Sequence, residues 1–240
     1  MIPKIIHYCW FGGNPKPELV ERCMESWHKC MPDWTYMEWS EANFDIASAP
    51  LYVRQAYEAK KYAFVSDYVR LWALEQYGGL YMDVDFEVYK AFEDLLDNPA
   101  FAGYEGSKRN PVMMGVIAAE PHNPWIQAML HTYETRPFIK PDGSYDMTPN
   151  TGYFTDMLER EGFVCDGVEK DFRDWLHVYP VEFFCPGLTT GENLRCERTY
   201  CEHKGLHSWS GSGGWKQKVL AMVSPKMKTK LIKLKRALFN

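Results

Sequence analysis

The 240-residue chain contains no run of about 18 consecutive apolar residues, so it encodes no membrane-spanning helix. Its seven cysteines are odd in number and follow no regular spacing, which argues against a disulfide framework and for a reducing compartment. The N-terminus shows no secretory leader, and a cytoplasmic location is the matching expectation. The absence of internal repeats removes solenoid and propeller architectures. Acidic residues are missing from 216–240, which holds eight of the 27 Lys and Arg. The first 215 residues are left with 19 basic against 32 acidic side chains, a net of −13 beneath the overall −5. So acidic a body is a poor partner for nucleic acid.

What is present is ordinary in bulk and unusual in aromatics. An apolar fraction of 46% and a charged fraction of 25% suit a folded soluble domain, and a chain of this size buries one substantial core. Nine Trp and fifteen Tyr either fill that core or offer faces on which sugar rings and bases stack.

The chain is organised around 66–87, S-D-Y-V-R-L-W-A-L-E-Q-Y-G-G-L-Y-M-D-V-D-F-E. From about Ala63 to Tyr77 the helical wheel is apolar nearly all round, the pattern of a buried helix. Asp67 and Arg70 interrupt it at i,i+3 spacing, on one face. Gly78-Gly79 supplies the left-handed residue that stops a helix, and Leu80 to Met82 reads as a short buried strand. Strand alternation would point Asp83 and Asp85 to one side as a hard oxygen site for Mg²⁺ or Mn²⁺, ions that bind diphosphates well. Burying so many charges costs several kcal/mol unless they are paired or hold a ligand.

These residues resemble the S-D-x-x-R…G-G-x-Y-x-D-x-D signature of glycosyltransferase family 32, which includes yeast initiating mannosyltransferases and bacterial capsule enzymes. The resemblance implies a GT-A-like α/β domain with a Rossmann-like, mostly parallel sheet, and a sugar moved from a nucleotide-diphosphate donor to a hydroxyl with retention. It implies that Asp67 and Arg70 hold the donor sugar and diphosphate, and that Asp83 lies between metal and ribose. The opening I-P-K-I-I-H-Y-C-W is similar to the family's first strand. By that similarity Trp10 stacks on the base and His7 supports it from beneath, although both also suit the core of a first, central strand. Near the end, H-S-W-S-G-S-G-G-W resembles the family's closing His and W-x-G-S-W. His207 then completes the metal site with Asp83 and Asp85, with His203 as the rival ligand. Gly213-Gly214 is an insertion relative to that pattern and leaves the role of Trp215 open.

Other elements follow from pattern. Helices are expected over Pro17–Cys30, Leu51–Lys60 and Pro124–Tyr133, and strands over Trp34–Trp39, Phe86–Tyr89, Phe101–Gly106 and Val112–Ala119. The Pro-rich stretch from Arg136 to Pro149 reads as a long loop of the kind that forms mobile lids. Asn150 opens a helix running to about Glu161, and either caps it or donates to a sugar hydroxyl, capping being favoured. Cys185, Cys196, Cys201 and His203 lack the paired spacing of a structural zinc site. The domain is expected to end near 215. Beyond Pro225, Met227, Leu231, Leu234 and Leu238 recur at helical spacing among Lys228, Lys233, Lys235 and Arg236. Such a basic amphipathic tail suits an anionic cytoplasmic membrane face and a lipid-linked or glycan acceptor; a packed or solvated terminal segment is the alternative. Two other functions remain, a non-catalytic sugar-binding module and a metal-dependent nucleotide-sugar hydrolase.

Overall fold

A computed structural model describes residues 1–106, 109–187 and 194–205. His207, Trp215 and the tail therefore lie outside the described residues.

The first half alternates β1 (Ile5–Cys9), α1 (Glu18–Cys30), β2 (Thr35–Trp39), α2 (Leu51–Glu58), α3 (Tyr62–Tyr77) and β3 (Gly79–Met82). After it come β4 (Phe86–Val88), a 3-10 turn at Glu93–Leu95, β5 (Ala100–Gly103), β6 (Val116–Ala119), α4 (Pro124–His131) and α5 (Asn150–Arg160). The described chain closes with β7 (Lys170–Phe172), β8 (Leu176–Tyr179), α6 (Val181–Phe184) and β9 (Cys201–His203). The elements from β7 onward are not visible in the sequence pattern, because three- and four-residue strands are too short to show a period.

Seven strands form one sheet in the order β2-β1-β3-β6-β5-β8-β7. β2, β1 and β3 are parallel, β6 is antiparallel to both β3 and β5, β8 is parallel to β5, and β7 runs against β8. Five of the seven strands therefore point the same way, as in the expected mostly parallel GT-A-like sheet. β1 is not central as expected: it lies second from one edge, because the later strands all add on the far side of β3.

Each face of the sheet has its own core. Leu80 and Met82 join one cluster with Ile6, Tyr8 and Trp27, whereas Tyr81 turns to the other with the α3 residues Val65, Val69 and Leu74. That alternation is the period-two geometry of a strand buried on both faces. α3 is buried nearly all round, as its sequence requires, and Gly78 ends it at φ +63°. Gly79 has no room for a side chain, since a Cβ there would lie 2.7 Å from the Ile5 carbonyl oxygen across the β1–β3 pair.

The segment 136–149 is a loop, but it is pinned. Phe138 is fully buried, and Gln55 Oε1 on α2 accepts from the backbone N–H of both Phe138 and Ile139 at 3.0 Å. Arg136 pairs with Asp146 at 3.2 Å and lies over the rings of Tyr52, Tyr133 and Tyr153. Among the described residues no helix is long and apolar enough to cross a membrane.

Candidate active site

The site is built around the turn that joins β3 to β4. Asp83, Val84 and Asp85 follow the last residue of β3, and the Phe86 N–H donates to the Asp83 carbonyl at 3.2 Å, closing the turn. Strand alternation therefore does not govern this segment, which corrects the expectation of two carboxylates sharing one strand face. The two side chains have different neighbours.

Asp83 faces α3. Arg70 Nη2 lies 2.9 Å from Asp67 Oδ1 and 3.4 Å from Asp83 Oδ1, so one guanidinium joins both carboxylates. Its Nη1 donates to the Met114 carbonyl, its Nε to the Ser66 carbonyl at 3.3 Å, and its plane covers the Tyr81 ring at 4.6 Å. The Tyr81 hydroxyl donates to Asp83 Oδ1 at 2.8 Å. Asp67 and Arg70 are about 90% or more buried, whereas the Asp83 side chain remains a third exposed. Burial pushes Asp67 up to about 6 against the pull of Arg70, and raises Asp83 in the same way. Burial alone would lower Arg70, but the charges of Asp83 and its neighbours outweigh it and raise the guanidinium. Holding such a cluster ionised is expensive, and it is the arrangement expected where charge is kept for a ligand.

Asp85 takes its direct partner from late in the described chain, although Asp83 lies close enough to sense both Asp85 and that partner. The two-stranded sheet of β4 and β9 lays His203 opposite Phe86, with the rings stacked 4.7 Å apart, and His203 Nε2 lies 3.0 Å from Asp85 Oδ2. Burial would lower this imidazole, yet the hydrogen bond to Asp85 and the surrounding carboxylates raise it. Among the described residues, His203, the rival ligand in the sequence, is thus the histidine that meets the D-x-D turn, while His207 lies outside them. Glu105 is close enough to sense both His203 and Asp83, and its carboxylate accepts from Thr151 Oγ1 at 3.2 Å.

Gly115 makes room for this arrangement. A Cβ there would lie 2.9 Å from Asp83 Oδ2 and 2.9 Å from the Phe86 ring, and the Gly115 carbonyl accepts from the Asp83 N–H at 2.8 Å. Tyr81, Gly115 and Glu105 were not singled out from sequence, and only Tyr81, inside the signature itself, carried a signal there.

The remaining expected residues fall into two groups. His7 is fully buried: its Nε2 donates to the Gly78 carbonyl at 2.8 Å and its Nδ1 accepts from Trp39 Nε1 at 3.2 Å. It holds the α3 stop from within the core; burial lowers its pKa to about 4. Trp10 is partly exposed just past β1, with its indole N–H donating to the Asn14 carbonyl at 2.6 Å. Asn150 does not cap α5, which corrects the favoured expectation: Pro149 occupies the cap position and no side chain bonds there. Asn150 is buried instead, and its Nδ2 has no hydrogen-bond partner among the described residues. The Tyr133 hydroxyl, near enough to sense Asp67, is likewise buried without a hydrogen-bond partner among the described residues.

Among the described residues no group of three His, Cys, Asp or Glu stands in metal-holding distance. The donor set nonetheless fits a hard or borderline divalent ion: two carboxylates on one turn and an imidazole already held against one of them. Of the suspected zinc residues, Cys185 donates to the Met113 sulfur and His203 goes to Asp85.

Residues 17–102 match the family described as a glycosyltransferase sugar-binding region containing a DXD motif. Inositol phosphoceramide mannosyltransferase 3 of Schizosaccharomyces pombe is 33% identical over 104 residues, covering 42% of this chain and 29% of its own. Mannosyl phosphorylinositol ceramide synthase SUR1 of Saccharomyces cerevisiae is 29% identical over 184 residues, 73% of this chain and 44% of its own. The chain thus spans less than half the length of these relatives. Among solved structures, the PaToxG glycosyltransferase superposes with a TM-score of 0.50 at 20% identity, covering 67% of this chain and 70% of that one, a likeness of fold.

Proposed function

Since the chain carries the sugar-binding region of DXD glycosyltransferases of the family-32 type, we propose that it transfers a hexose from a nucleotide-diphosphate sugar to a hydroxyl acceptor. The observation that carries this reading is the divided turn: Arg70 ties Asp83 to Asp67, while Asp85 meets His203. Departure of a nucleotide diphosphate is the demanding step, because negative charge accumulates on the leaving group.

Asp83, Asp85 and His203 would hold Mn²⁺ or Mg²⁺. When bound, the ion supplies Lewis-acid stabilisation of the diphosphate. The protein's own residues do the positioning. Asp67, fixed by the guanidinium, accepts from donor-sugar hydroxyls, and Arg70 keeps the carboxylates ionised in a buried setting. The unpartnered amide of Asn150 offers an N–H₂ donor to a sugar hydroxyl. Trp10 offers its ring to the base at the carboxyl end of β1. Retention follows from the family resemblance, and either a front-face or a covalent route is compatible with it.

The mannosyl and ceramide names of the relatives favour a mannose donor and a lipid-linked or glycan acceptor. The tail beyond 215 would bring the acidic body to an anionic cytoplasmic bilayer, each Lys or Arg adding about 1 kcal/mol near the surface. Nucleotide release from a panel of nucleotide sugars with Mn²⁺, with and without candidate acceptors, tests the function. Acceptor-stimulated release with one donor is expected; donor binding without transfer would leave a binding module. In low salt the full chain should sediment with anionic vesicles and a chain ending at Trp215 should not; equal behaviour removes the membrane role.

A further inference from the structure

β4 and β9 form a sheet of their own, and its register contains a conflict. Phe86 pairs with His203, Val88 with Cys201, and between them Glu87 lies directly opposite Glu202. Like charges facing each other across an antiparallel pair destabilise it. The outer face of this small ladder thus works against the inner face, which delivers His203 to Asp85.

Lys204 resolves the conflict. Its Nζ lies 2.7 Å from Glu87 Oε2 and 2.8 Å from Glu202 Oε2, and donates to the Tyr89 hydroxyl at 3.0 Å. Tyr89 in turn donates to Glu202 Oε2 at 2.6 Å, and its backbone N–H donates to the Tyr200 carbonyl, extending the ladder. The Lys204 backbone N–H donates to the Asp85 carbonyl at 2.8 Å, so the residue grips the D-x-D turn itself. The Lys204 side chain is 28% exposed, so the bridge it makes between the two carboxylates is mostly shielded from solvent.

We propose that Lys204 is a positioning residue: by neutralising the Glu87–Glu202 pair it keeps β9 on β4 and so keeps the His203 imidazole on Asp85. This rests on the metal reading above for its consequence, and on the ladder alone for its geometry. A single three-residue strand has few bonds with which to resist two facing carboxylates; Arg195, over the Tyr89 ring at 3.5 Å, adds a second positive charge nearby, but Lys204 is the cation that bridges both carboxylates directly.

Two measurements on the full chain test it. Calorimetric titration with Mn²⁺ should show Lys204→Met binding about tenfold more weakly, as the loss of a charge network at a facing like-charge pair implies. Adding Glu202→Gln, which removes the repulsion, should restore affinity to within about threefold. Amide hydrogen exchange at 201–203 in metal-free protein should quicken in Lys204→Met and return to normal in the double variant. A merely structural lysine would lower the melting temperature without rescue by Glu202→Gln, and one that contacts the ligand directly would also show no rescue. Wild-type affinity and exchange in Lys204→Met, or a double variant as impaired as the single, overturns the proposal. If the wild-type chain binds no Mn²⁺, the metal reading fails, and exchange at 201–203 still decides the clasp.

Discussion

Asp83 and Asp85 stand two residues apart and are held by opposite kinds of structure. Asp83 belongs to a cluster contributed almost wholly by one short stretch, α3 and β3, with Arg70 at its centre. Asp85 meets a histidine 118 positions away, carried on a strand of three residues. The first half is made by helix period and strand period and is buried with the core. The second is assembled late in the chain, on a two-stranded sheet separate from the seven-stranded one, with Asp85 itself buried. Charges on the α3 side, tied to one another by a single guanidinium, are therefore expected to carry more of the global stability, and those on the β9 side the local pairing of β4 with β9 and the function.

The largest break in that contrast comes from Asp85→Ala. Transfer should fall by about 10³-fold, the scale on which electrostatic stabilisation of a leaving group operates, with a smaller drop in melting temperature than Arg70→Lys shows. Nucleotide release and a thermal scan on one preparation check it. Near-wild-type release with saturating Mn²⁺ would remove the metal assignment.

Arg70→Lys should strike both properties. The planar fork reaches Asp67, Asp83 and the Met114 carbonyl together, which a single ammonium does not. We expect about a 100-fold loss in transfer, together with a melting temperature several degrees lower as the carboxylates lose partners. An unchanged melting temperature would show that the two sides of the turn do not differ as described.

Gly115→Ala sharpens the contrast at a smaller scale. Its methyl would press on Asp83 Oδ2 and the Phe86 ring at 2.9 Å, so both halves of the turn shift. A cost of about 1–3 kcal/mol in stability and about tenfold in donor affinity is expected, measured by denaturant unfolding and by donor titration.

The smallest effect on transfer is expected at His7, whose signature is a pH dependence of stability. His7 has a folded pKa of about 4 and an unfolded value near 6.5, so the unfolded chain binds more protons between the two. Its contribution is complete above pH about 6.5 and is lost as pH falls through 4, by up to about 3 kcal/mol. His7→Gln should be less stable at pH 7 yet lose less on acidification; parallel pH profiles would contradict the assignment.

The same contrast explains what was legible in the sequence. The α3 stop at Gly78, the buried Asp67–Arg70 spacing and the short β3 strand follow from local periods and glycine geometry, and they appear in the structure within a residue or two. Asp83 and Asp85 were legible as a pair but not as a divided pair, because a turn replaces the strand the alternation assumed. β7, β8 and β9 were not legible, since strands this short take their structure from their partners. Asn150 was misread because a proline already held the cap, a matter of one residue's offset. That His203 lies on the D-x-D turn was not legible either, because it depends on the β4–β9 register, which is a long-range fact, and His207 lies outside the described residues.

The choice between these two histidines is also the most direct test of the account. Mn²⁺ titration of the full chain in the presence of a nucleoside diphosphate should give saturable binding that His203→Ala weakens by about 100-fold, with His207→Ala close to wild type; one lost ligand costs on this order. Strong loss in His207→Ala with His203→Ala unaffected would contradict the site assembled here on β9.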